Sequence, residues 1–387
     1  MATEAFVTGI GQSQIGVRLE RHPLLLTIDA IREALDESGL TLSDIDGLST
    51  YPGKTAAPPG YSPVGTEDVM DALRLPIRWY SGGGEISSQL GAIVAAVAAV
   101  KADLARHVIC FRTVYEAAAL SRPQDYPQPR GNGRIDGFPQ WVMPFNALSA
   151  SNWIAQYAMK HVKKYGLTRE QLAQIALTDR KHALLNPRAL VREPLSMDQY
   201  LEARMISDPL CLYDCDRFTD ASTVLIVSAG DALGDVKCRP VRIAASAHAA
   251  ERYSWDQPDV MASYATGREL WKNTDYQPKD VDTVQFYDGF SFLALTWFES
   301  LGFCAPGEGG AFIEGGARIA LDGELPMNTF GGQLGAGRLH GFGFAHEAIV
   351  QLRGLGGDRQ IAGDPKVAIA TSGGGPLATA LLFARDM

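Results

Sequence analysis

A turn of three glycines and two serines stands before an alanine- and valine-rich segment, in the stretch WYSGGGEISSQLGAIVAAVAAVKA at residues 79–102. The apolar run predicts a buried helix, and the glycines predict a turn at its amino end. Such a turn presents free backbone N–H groups and the positive end of the helix dipole, which suit a nucleophile or an oxyanion. The stretch contains no cysteine, and no histidine lies close in sequence to activate a serine. Its chemistry therefore depends on the residues that the fold brings to it.

The composition excludes several classes of function. The chain has 387 residues, is 46% hydrophobic, and carries a formal charge of −9 with a pI near 5.3, which argues against nucleic acid or an anionic membrane as partner. Five scattered cysteines lack the spacing of a zinc site, and their odd number favours a reducing compartment. The first residues lack the pattern of a signal peptide, and the longest apolar run is too short to span a bilayer. We therefore expect a cytoplasmic protein.

The elements around the glycine turn alternate between strands and helices. AFVTGIG predicts a strand, PLLLTIDAIREALDESG a helix that ends at Gly39, and IDGLSTY and HVICFRT two further strands. This alternation predicts a layered α/β sheet. The composition changes at residues 115–206, first to a proline-rich and then to a helical sequence, and we interpret this segment as an inserted loop domain. The predicted halves are then 1–114 with 207–236, and 237–387.

The second half repeats features of the first in the same order. DIDGLSTYPG matches DVDTVQFYDG, YSGGGEISSQLGAIVAAV matches FGGQLGAGRLHGFGFAHEAIVQL, and STVLIVSAGDAL matches ATALLFARDM. Three matches in one order indicate a duplication of the α/β unit, although βα units also resemble one another.

This arrangement resembles the thiolase fold over nearly the whole chain. PLCLYDCDRFTDASTVLIVSAGDAL is similar to the stretch that closes the first thiolase half, and MNTFGGQLGAGRLHGFG to the family's Asn-x-x-Gly-Gly loop. YGLTREQLAQIALTDRKHALLNPRA resembles the insertion of the sterol-carrier or lipid-transfer branch. The resemblance implies a duplicated five-layered α-β-α-β-α domain, with a helical and loop insertion in the first half, that forms a homodimer.

The chain departs from working thiolases where their chemistry takes place. The nucleophilic cysteine falls near Ile86 and Ser87, the Gly-His-Pro histidine is replaced by Arg338, and the reactive cysteine near the end is replaced by Thr371 or Ser372. A thiolate is the group that exchanges acyl chains with a thioester, and a serine is a poor substitute. Claisen chemistry by the usual covalent route is therefore not expected.

The features that remain are the glycine turns, the helix amino ends and the second-half loop. Without the cysteines, they resemble the thiolase-like retro-aldolases of steroid side-chain degradation. The resemblance implies cleavage of a β-hydroxyacyl-CoA to a shorter acyl-CoA and a ketone or aldehyde, and a complex with a small zinc-ribbon and OB-fold subunit. One family tyrosine matches Tyr287, which would be the base for the β-hydroxyl proton. The second is replaced by Arg338, which could stabilise an oxyanion or lower the pKa of Tyr287.

Further candidates surround these residues. His340 could reach the pocket or support its loop, and Glu85 could be a helix-start carboxylate or a pocket base with a raised pKa. Asp288 could orient Tyr287 or, as the safer interpretation, cap the next helix. The expected substrate-binding residues are Gly84, Ser87, Asn328, Gly332 and Gly374. The alternatives are that Ser87 caps the helix and that Asn328 only fixes its turn.

Two other functions remain open from the sequence. The chain could be a catalytically silent acyl-CoA-binding subunit, or an acyltransferase that works without the usual cysteine. No metal or cofactor of its own is expected, since any zinc would lie on the small subunit.

Overall fold

The chain builds one large mixed sheet from segments of both halves, and the computed structural model describes residues 4–56, 58–83, 88–122, 139–251 and 261–385. The strands are β1 (Ala5–Gln12), β2 (Gly47–Thr50), β3 (Trp79–Ser81), β4 (His107–Tyr115), β5 (Met205–Ser207), β6 (Leu210–Cys211), β7 (Asp220–Ala229), β8 (Val241–Ala250), β9 (Thr283–Gln285), β10 (Val367–Gly373) and β11 (Leu377–Ala384).

The helices follow the alternation that the sequence predicts. They are α1 (Pro23–Ser38), α2 (Thr66–Leu73), α3 (Gly91–Lys101), α4 (Glu116–Ser121), α5 (Pro139–Val142), α6 (Ala150–Tyr165), α7 (Arg169–Leu185), α8 (Met197–Leu201), α9 (Ala262–Lys272), α10 (Ser291–Ser300), α11 (Gly309–Phe312) and α12 (Gly341–Arg353). The predicted end of α1 is confirmed, because Gly39 adopts a left-handed conformation and its N–H bonds back to Leu35.

The order of the strands confirms the duplication. The nine-stranded sheet runs β3-β2-β4-β7-β1-β8-β11-β10-β9. Outward from the β1–β8 junction, β1, β7, β4 and β2 correspond to β8, β11, β10 and β9. The pairings correspond as well, since the first two pairs in each half are antiparallel and the last pair is parallel. The strands of the matched motifs, β2 and β9, occupy equivalent places.

The helices divide the fold into five layers. Helix α1 packs on β1, β7 and β4, and α9 packs on β8 and β11, so these two helices form the outer layers. Helix α3 contacts β4, β7 and β8, and α12 contacts β7, β1 and β10. Because both helices contact strands of the two halves, they form the central layer. The predicted duplicated α-β-α-β-α architecture is confirmed.

Alternating side chains along the strands supply a core on each face of the sheet. In β4, Val108 and Cys110 join the central core, whereas Ile109 and Phe111 join the core under α1. In β10, Ala368 and Ala370 face the central core while Ile369 faces the outer one. Strands buried on both faces explain the nearly continuous apolar runs in the sequence.

The insertion lies between β4 and β7 and contains α4 to α8 with the β5–β6 ribbon. Helix α7 packs against α10 and against the glycine-rich segment before α12. The insertion therefore reaches the segments that carry the candidate site. The residue limits assigned to the three predicted domains stay a prediction. Within the described ranges, no helix is long and apolar enough to cross a membrane.

Candidate active site

Tyr287 lies just beyond the carboxyl end of β9, where segments of both halves meet. Its backbone N–H donates to Oγ1 of Thr371 at 2.9 Å, and its ring packs on Phe344 with centroids 5.8 Å apart. Its hydroxyl accepts a hydrogen bond from Nε2 of Gln89 at 3.2 Å. The side chain is partly exposed. Tyr287 is thus held by both halves and remains open to a ligand.

Gln89 connects Tyr287 to the amino end of α12. Its Oε1 accepts from the backbone N–H of Gly341 at 2.9 Å, while its Nε2 donates to the phenol. The sequence analysis considered the serines of the SSQLG motif and missed this glutamine. The signal was a long amide in the first turn before an otherwise apolar helix.

Burial raises the pKa of Tyr287, and the nearby Asp216 carboxylate raises it further. Arg338 and the hydrogen bond from Gln89 lower this pKa, but they do not compensate. Arg338 thus lowers the pKa of Tyr287, in the expected direction, but burial and Asp216 outweigh this effect. The phenol is protonated at neutral pH.

Arg338 is engaged by two carboxylates. Its Nε and Nη2 donate to the two oxygens of Asp216, both at 2.8 Å, and its Nη1 donates to Glu116 at 3.1 Å. Its side chain is 20% exposed, against 3% for Asp216 and 5% for Glu116. Burial lowers the pKa of Arg338, but the two carboxylates outweigh it and hold the guanidinium charged. Burial raises the pKa of Glu116, and Arg338 opposes this shift.

His340 lies beside this ion cluster. Its Nδ1 accepts from Nε of Arg112 at 3.0 Å, and its Nε2 lies 4.0 Å from Oε2 of Glu116. Since a guanidinium only donates, the neutral imidazole must carry its proton on Nε2. Burial lowers the pKa of His340, and Arg112 and Arg338 lower it further. His340 is therefore a neutral donor, with a φ of +55° at the start of α12.

Asn328 and Gly332 shape the segment that carries these two side chains. Oδ1 of Asn328 accepts from the backbone N–H of Phe286 at 2.7 Å, which joins this segment to the end of β9. A Cβ on Gly332 would lie 2.1 Å from Asp288 and 2.8 Å from Asp179, and its φ is +57°. Only glycine fits there without displacing one of the carboxyl groups.

Asp288 caps the glycine segment. It accepts from the backbone N–H groups of Gln333 at 2.8 Å and Leu334 at 3.2 Å, whereas the residue before α10 is Phe290. The expectation that Asp288 caps the next helix is wrong. Burial raises the pKa of Asp288 to about 6, and burial together with Asp288 raises the pKa of Asp179 well above its usual value.

Thr371 and Ser372, the two candidates for the position of the second thiolase cysteine, both make hydroxyl contacts, whereas the position of the first cysteine near Ile86 and Ser87 lies outside the described residues. Ser372 contacts Ser88 with 2.5 Å between their Oγ atoms, and Thr371 accepts from Tyr287. Gly374 forms the adjacent β10–β11 turn, where a Cβ would lie 3.3 Å from Leu293 of α10. Gly374 is thus within the same group of segments, under α10.

The structure brings Tyr287, Arg338 and His340 into one linked group, with Asn328 and Gly332 supporting it. The predictions for Gly84, Glu85 and Ser87 fall outside the described residues. Sequence reasoning missed four contributors to the group: Gln89, Arg112, Glu116 and Asp216. Arg112 was visible as a charged residue inside the apolar strand β4, Glu116 as an acidic residue directly after that strand, and Asp216 as an acidic residue beside a cysteine.

The cysteines do not have the properties of a nucleophile. Burial is the first cause that raises the pKa in all five, to about 11 in Cys211 and Cys238 and to about 12 in Cys215 and Cys304. The pKa of Cys110, inside β4, is raised further still. A thiol that attacks a thioester needs the opposite shift.

The fold and the site together define a thiolase-fold protein without a thiolate nucleophile. Residues 245–383 match the thiolase C-terminal domain-like family. The chain is 30% identical to the steroid side-chain-cleaving aldolase of Thermomonospora curvata, over 99% of this chain and 98% of that protein. The chain belongs to this aldolase family within the thiolase superfamily.

Two further relatives agree with this assignment. The 17-hydroxy-3-oxo-4-pregnene-20-carboxyl-CoA lyase of Mycobacterium tuberculosis is 30% identical, over 99% of this chain and 100% of that protein. The solved Ltp2-ChsH2(DUF35) aldolase superposes with a TM-score of 0.87 at 28% identity, covering 98% of this chain and 97% of that chain.

Proposed function

We propose that this chain is the catalytic subunit of an acyl-CoA retro-aldolase, a carbon–carbon lyase acting on β-hydroxyacyl-CoA thioesters. The similarity over full length to two proteins named as aldolase and lyase supports this class of reaction. The observation that carries the proposal at the site is Tyr287, whose hydroxyl accepts a hydrogen bond from Gln89 where both halves converge, in a chain whose cysteine pKa values are all raised.

The reaction needs no covalent intermediate. The β-hydroxyl loses its proton, the Cα–Cβ bond breaks, and the bonding pair moves onto the thioester as an enolate while the β-carbon becomes a carbonyl. The enolate carbon then takes up a proton, which gives the shorter acyl-CoA. Such a step requires a proton acceptor at the hydroxyl and hydrogen-bond donors at the oxygen where charge develops.

The described side chains offer mainly donors. Tyr287 is a neutral phenol, His340 is a neutral imidazole with its proton on Nε2, and Arg338 is a charged guanidinium shared with two carboxylates. Tyr287 would meet the reacting atoms, either as the acceptor of the β-hydroxyl proton or as a donor to the enolate oxygen. Both roles need its hydroxyl.

The substrate we propose is a β-hydroxyacyl-CoA on a steroid side chain or a similar group. The name of the lyase from Mycobacterium tuberculosis describes such a compound, since its hydroxyl on C17 is β to the thioester carbonyl attached at C20. The chain itself would need no metal or cofactor, and coenzyme A would enter as part of the substrate.

We also propose that the chain works as a homodimer with a small zinc-ribbon and OB-fold subunit. The support is the Ltp2-ChsH2(DUF35) aldolase, which contains a second protein. Light scattering of the chain alone and co-expressed with such a subunit tests the assembly, and turnover of the two preparations tests the need for the subunit. A monomer, or full activity of the purified chain alone, would contradict them.

Incubation with a β-hydroxyacyl-CoA of a C17-hydroxylated steroid, followed by mass spectrometry, tests the function. We expect a steroid ketone and a shorter acyl-CoA in equal amounts. Tyr287→Phe should lower turnover by about 100-fold, because it removes the hydroxyl that we place at the reacting atoms. The control is Tyr276→Phe, since Tyr276 is partly buried on the outer core near the other end of β9. Equal turnover in both variants would refute the assignment of Tyr287.

A further inference from the structure

We propose that Gln89 is a positioning residue that sets Tyr287 as a hydrogen-bond donor to the bound thioester. The inference rests on the proposed function for its substrate, but its geometry rests on two contacts of the free protein. Gln89 joins the backbone N–H of Gly341 to the hydroxyl of Tyr287, at 2.9 and 3.2 Å.

The direction of these two hydrogen bonds follows from the chemistry of the groups. The backbone N–H of Gly341 can only donate, so the oxygen of the Gln89 amide must face it. The NH₂ of the same amide must then face Tyr287. Because this NH₂ also only donates, the phenol oxygen accepts with a lone pair and its own hydrogen points elsewhere. Tyr287 therefore starts the reaction as a donor.

The first residue of α12 strengthens this chain of hydrogen bonds. Gly341 opens the helix, and its N–H is one of the groups that the helix itself leaves without a partner. The positive end of the helix dipole polarises the amide of Gln89, and successive hydrogen bonds reinforce one another in a buried site. The phenol hydrogen thus becomes a better donor to an oxygen that gains negative charge.

The charged groups around Tyr287 favour the same role. Asp216 and Tyr61 disfavour the phenolate, whereas Arg338 and Gln89 favour it, and burial outweighs them in raising the pKa. Arg112, from β4, also acts on Tyr287. A neutral phenol with a directed hydrogen suits stabilisation of the enolate oxygen better than abstraction of a proton. The alternative assignment of Tyr287 as the base requires its ionisation first.

Two substitutions at Gln89 distinguish the direction of its hydrogen bond with Tyr287 from the packing of its side chain. Gln89→Glu keeps the shape and the acceptor for Gly341, but an ionised carboxylate would accept the hydrogen of Tyr287 and withdraw it from the substrate. We expect about a 100-fold loss of kcat at pH 8, with KM little changed. As the pH falls, the introduced carboxyl becomes protonated and can donate as the amide does, so kcat should recover by about tenfold or more.

Gln89→Leu removes the bridge but leaves the phenol hydrogen free. We expect about a tenfold loss of kcat with the pH profile of the unchanged protein, because only orientation is lost. Gln277→Glu is the matched control, since Gln277 is exposed and lies before β9, whereas Tyr287 lies after it. A purely structural role for Gln89 predicts equal pH profiles for the Glu and Leu variants, and that result would overturn the inference.

A spectroscopic measurement tests the contact without turnover. The Raman doublet of tyrosine reports whether a phenol donates or accepts, and the difference spectrum against Tyr287→Phe isolates this residue among 13 tyrosines. We expect an accepting phenol in the unchanged protein and a donating phenol in Gln89→Glu at pH 8. An unchanged doublet in Gln89→Glu would refute the inference. A changed doublet in a protein that cleaves no β-hydroxyacyl-CoA would support the contact and refute the proposed function.

Discussion

Replacement of Arg338 by leucine should expose how much the ion cluster contributes to stability. Arg338 holds Asp216 with two hydrogen bonds of 2.8 Å and Glu116 with one of 3.1 Å, and both carboxylates are at least 95% buried. Removing one partner from a buried ion pair leaves a charge without compensation and costs about 3–5 kcal/mol. We expect Arg338→Leu to lower the free energy of unfolding by this amount at pH 8.

The loss should depend on pH in a defined direction. Burial already raises the pKa of Glu116 in the folded protein, and Arg338 opposes that shift. Without Arg338, the folded-state pKa of Glu116 rises further above its unfolded value. A carboxyl group whose pKa is higher in the folded than in the unfolded protein stabilises the folded state at pH values below its unfolded-state pKa. This contribution is lost as the pH rises through its folded-state pKa. The difference between variant and parent should therefore be small at pH 5 and largest at pH 8.

Urea unfolding between pH 5 and pH 8 measures this difference. The control is the double variant Asp216→Asn, Arg338→Leu, in which Glu116 keeps the buried Arg112 as its counter-charge. We expect it to recover most of the stability at pH 8. A loss below about 1 kcal/mol, the size expected of an exposed pair, or a loss that does not change with pH, would refute the reasoning.

Three other outcomes follow from the same site. Gly332→Ala should destabilise the protein and lower activity, because its Cβ would lie 2.1 Å from Asp288 at a φ of +57°. The control Gly234→Ala, at an exposed position after β7, meets no atom within 4 Å and should be neutral in both assays. The carboxyl pKa values of Asp179 and Asp288 are raised in the folded protein, so this pair costs the parent stability as the pH rises. In Asp179→Asn the free energy of unfolding should therefore fall less between pH 5 and pH 8 than in the parent. Equal pH slopes in the two proteins would contradict this. Intact-mass measurement after incubation with an acyl-CoA should show no adduct, since no cysteine has a lowered pKa; a stable acyl-cysteine would contradict the aldolase mechanism and favour an acyltransferase.

The sequence by itself determined the architecture. Apolar runs and glycine stops define β1, α1 and α3, and the matched motifs around β2 and β9 reveal the duplication, because these features depend on neighbours along the chain. The replacement of cysteine near Ile86 and of histidine by Arg338 was also visible, since a missing chemical group needs no coordinates. Tyr287 could be selected for the same reason, from its place in a known motif.

Only the tertiary structure decided what the selected residues can do. The pKa of Tyr287 depends on Asp216 and on burial, and Asp216 lies 71 positions away in the sequence. Arg338 is present as expected, but Asp216 and Glu116 share its charge. The bridge through Gln89 joins a turn of the first half to a tyrosine and a helix of the second. Hydrogen-bond direction and buried charge arise from groups that folding brings together, and for that reason local sequence patterns did not predict them.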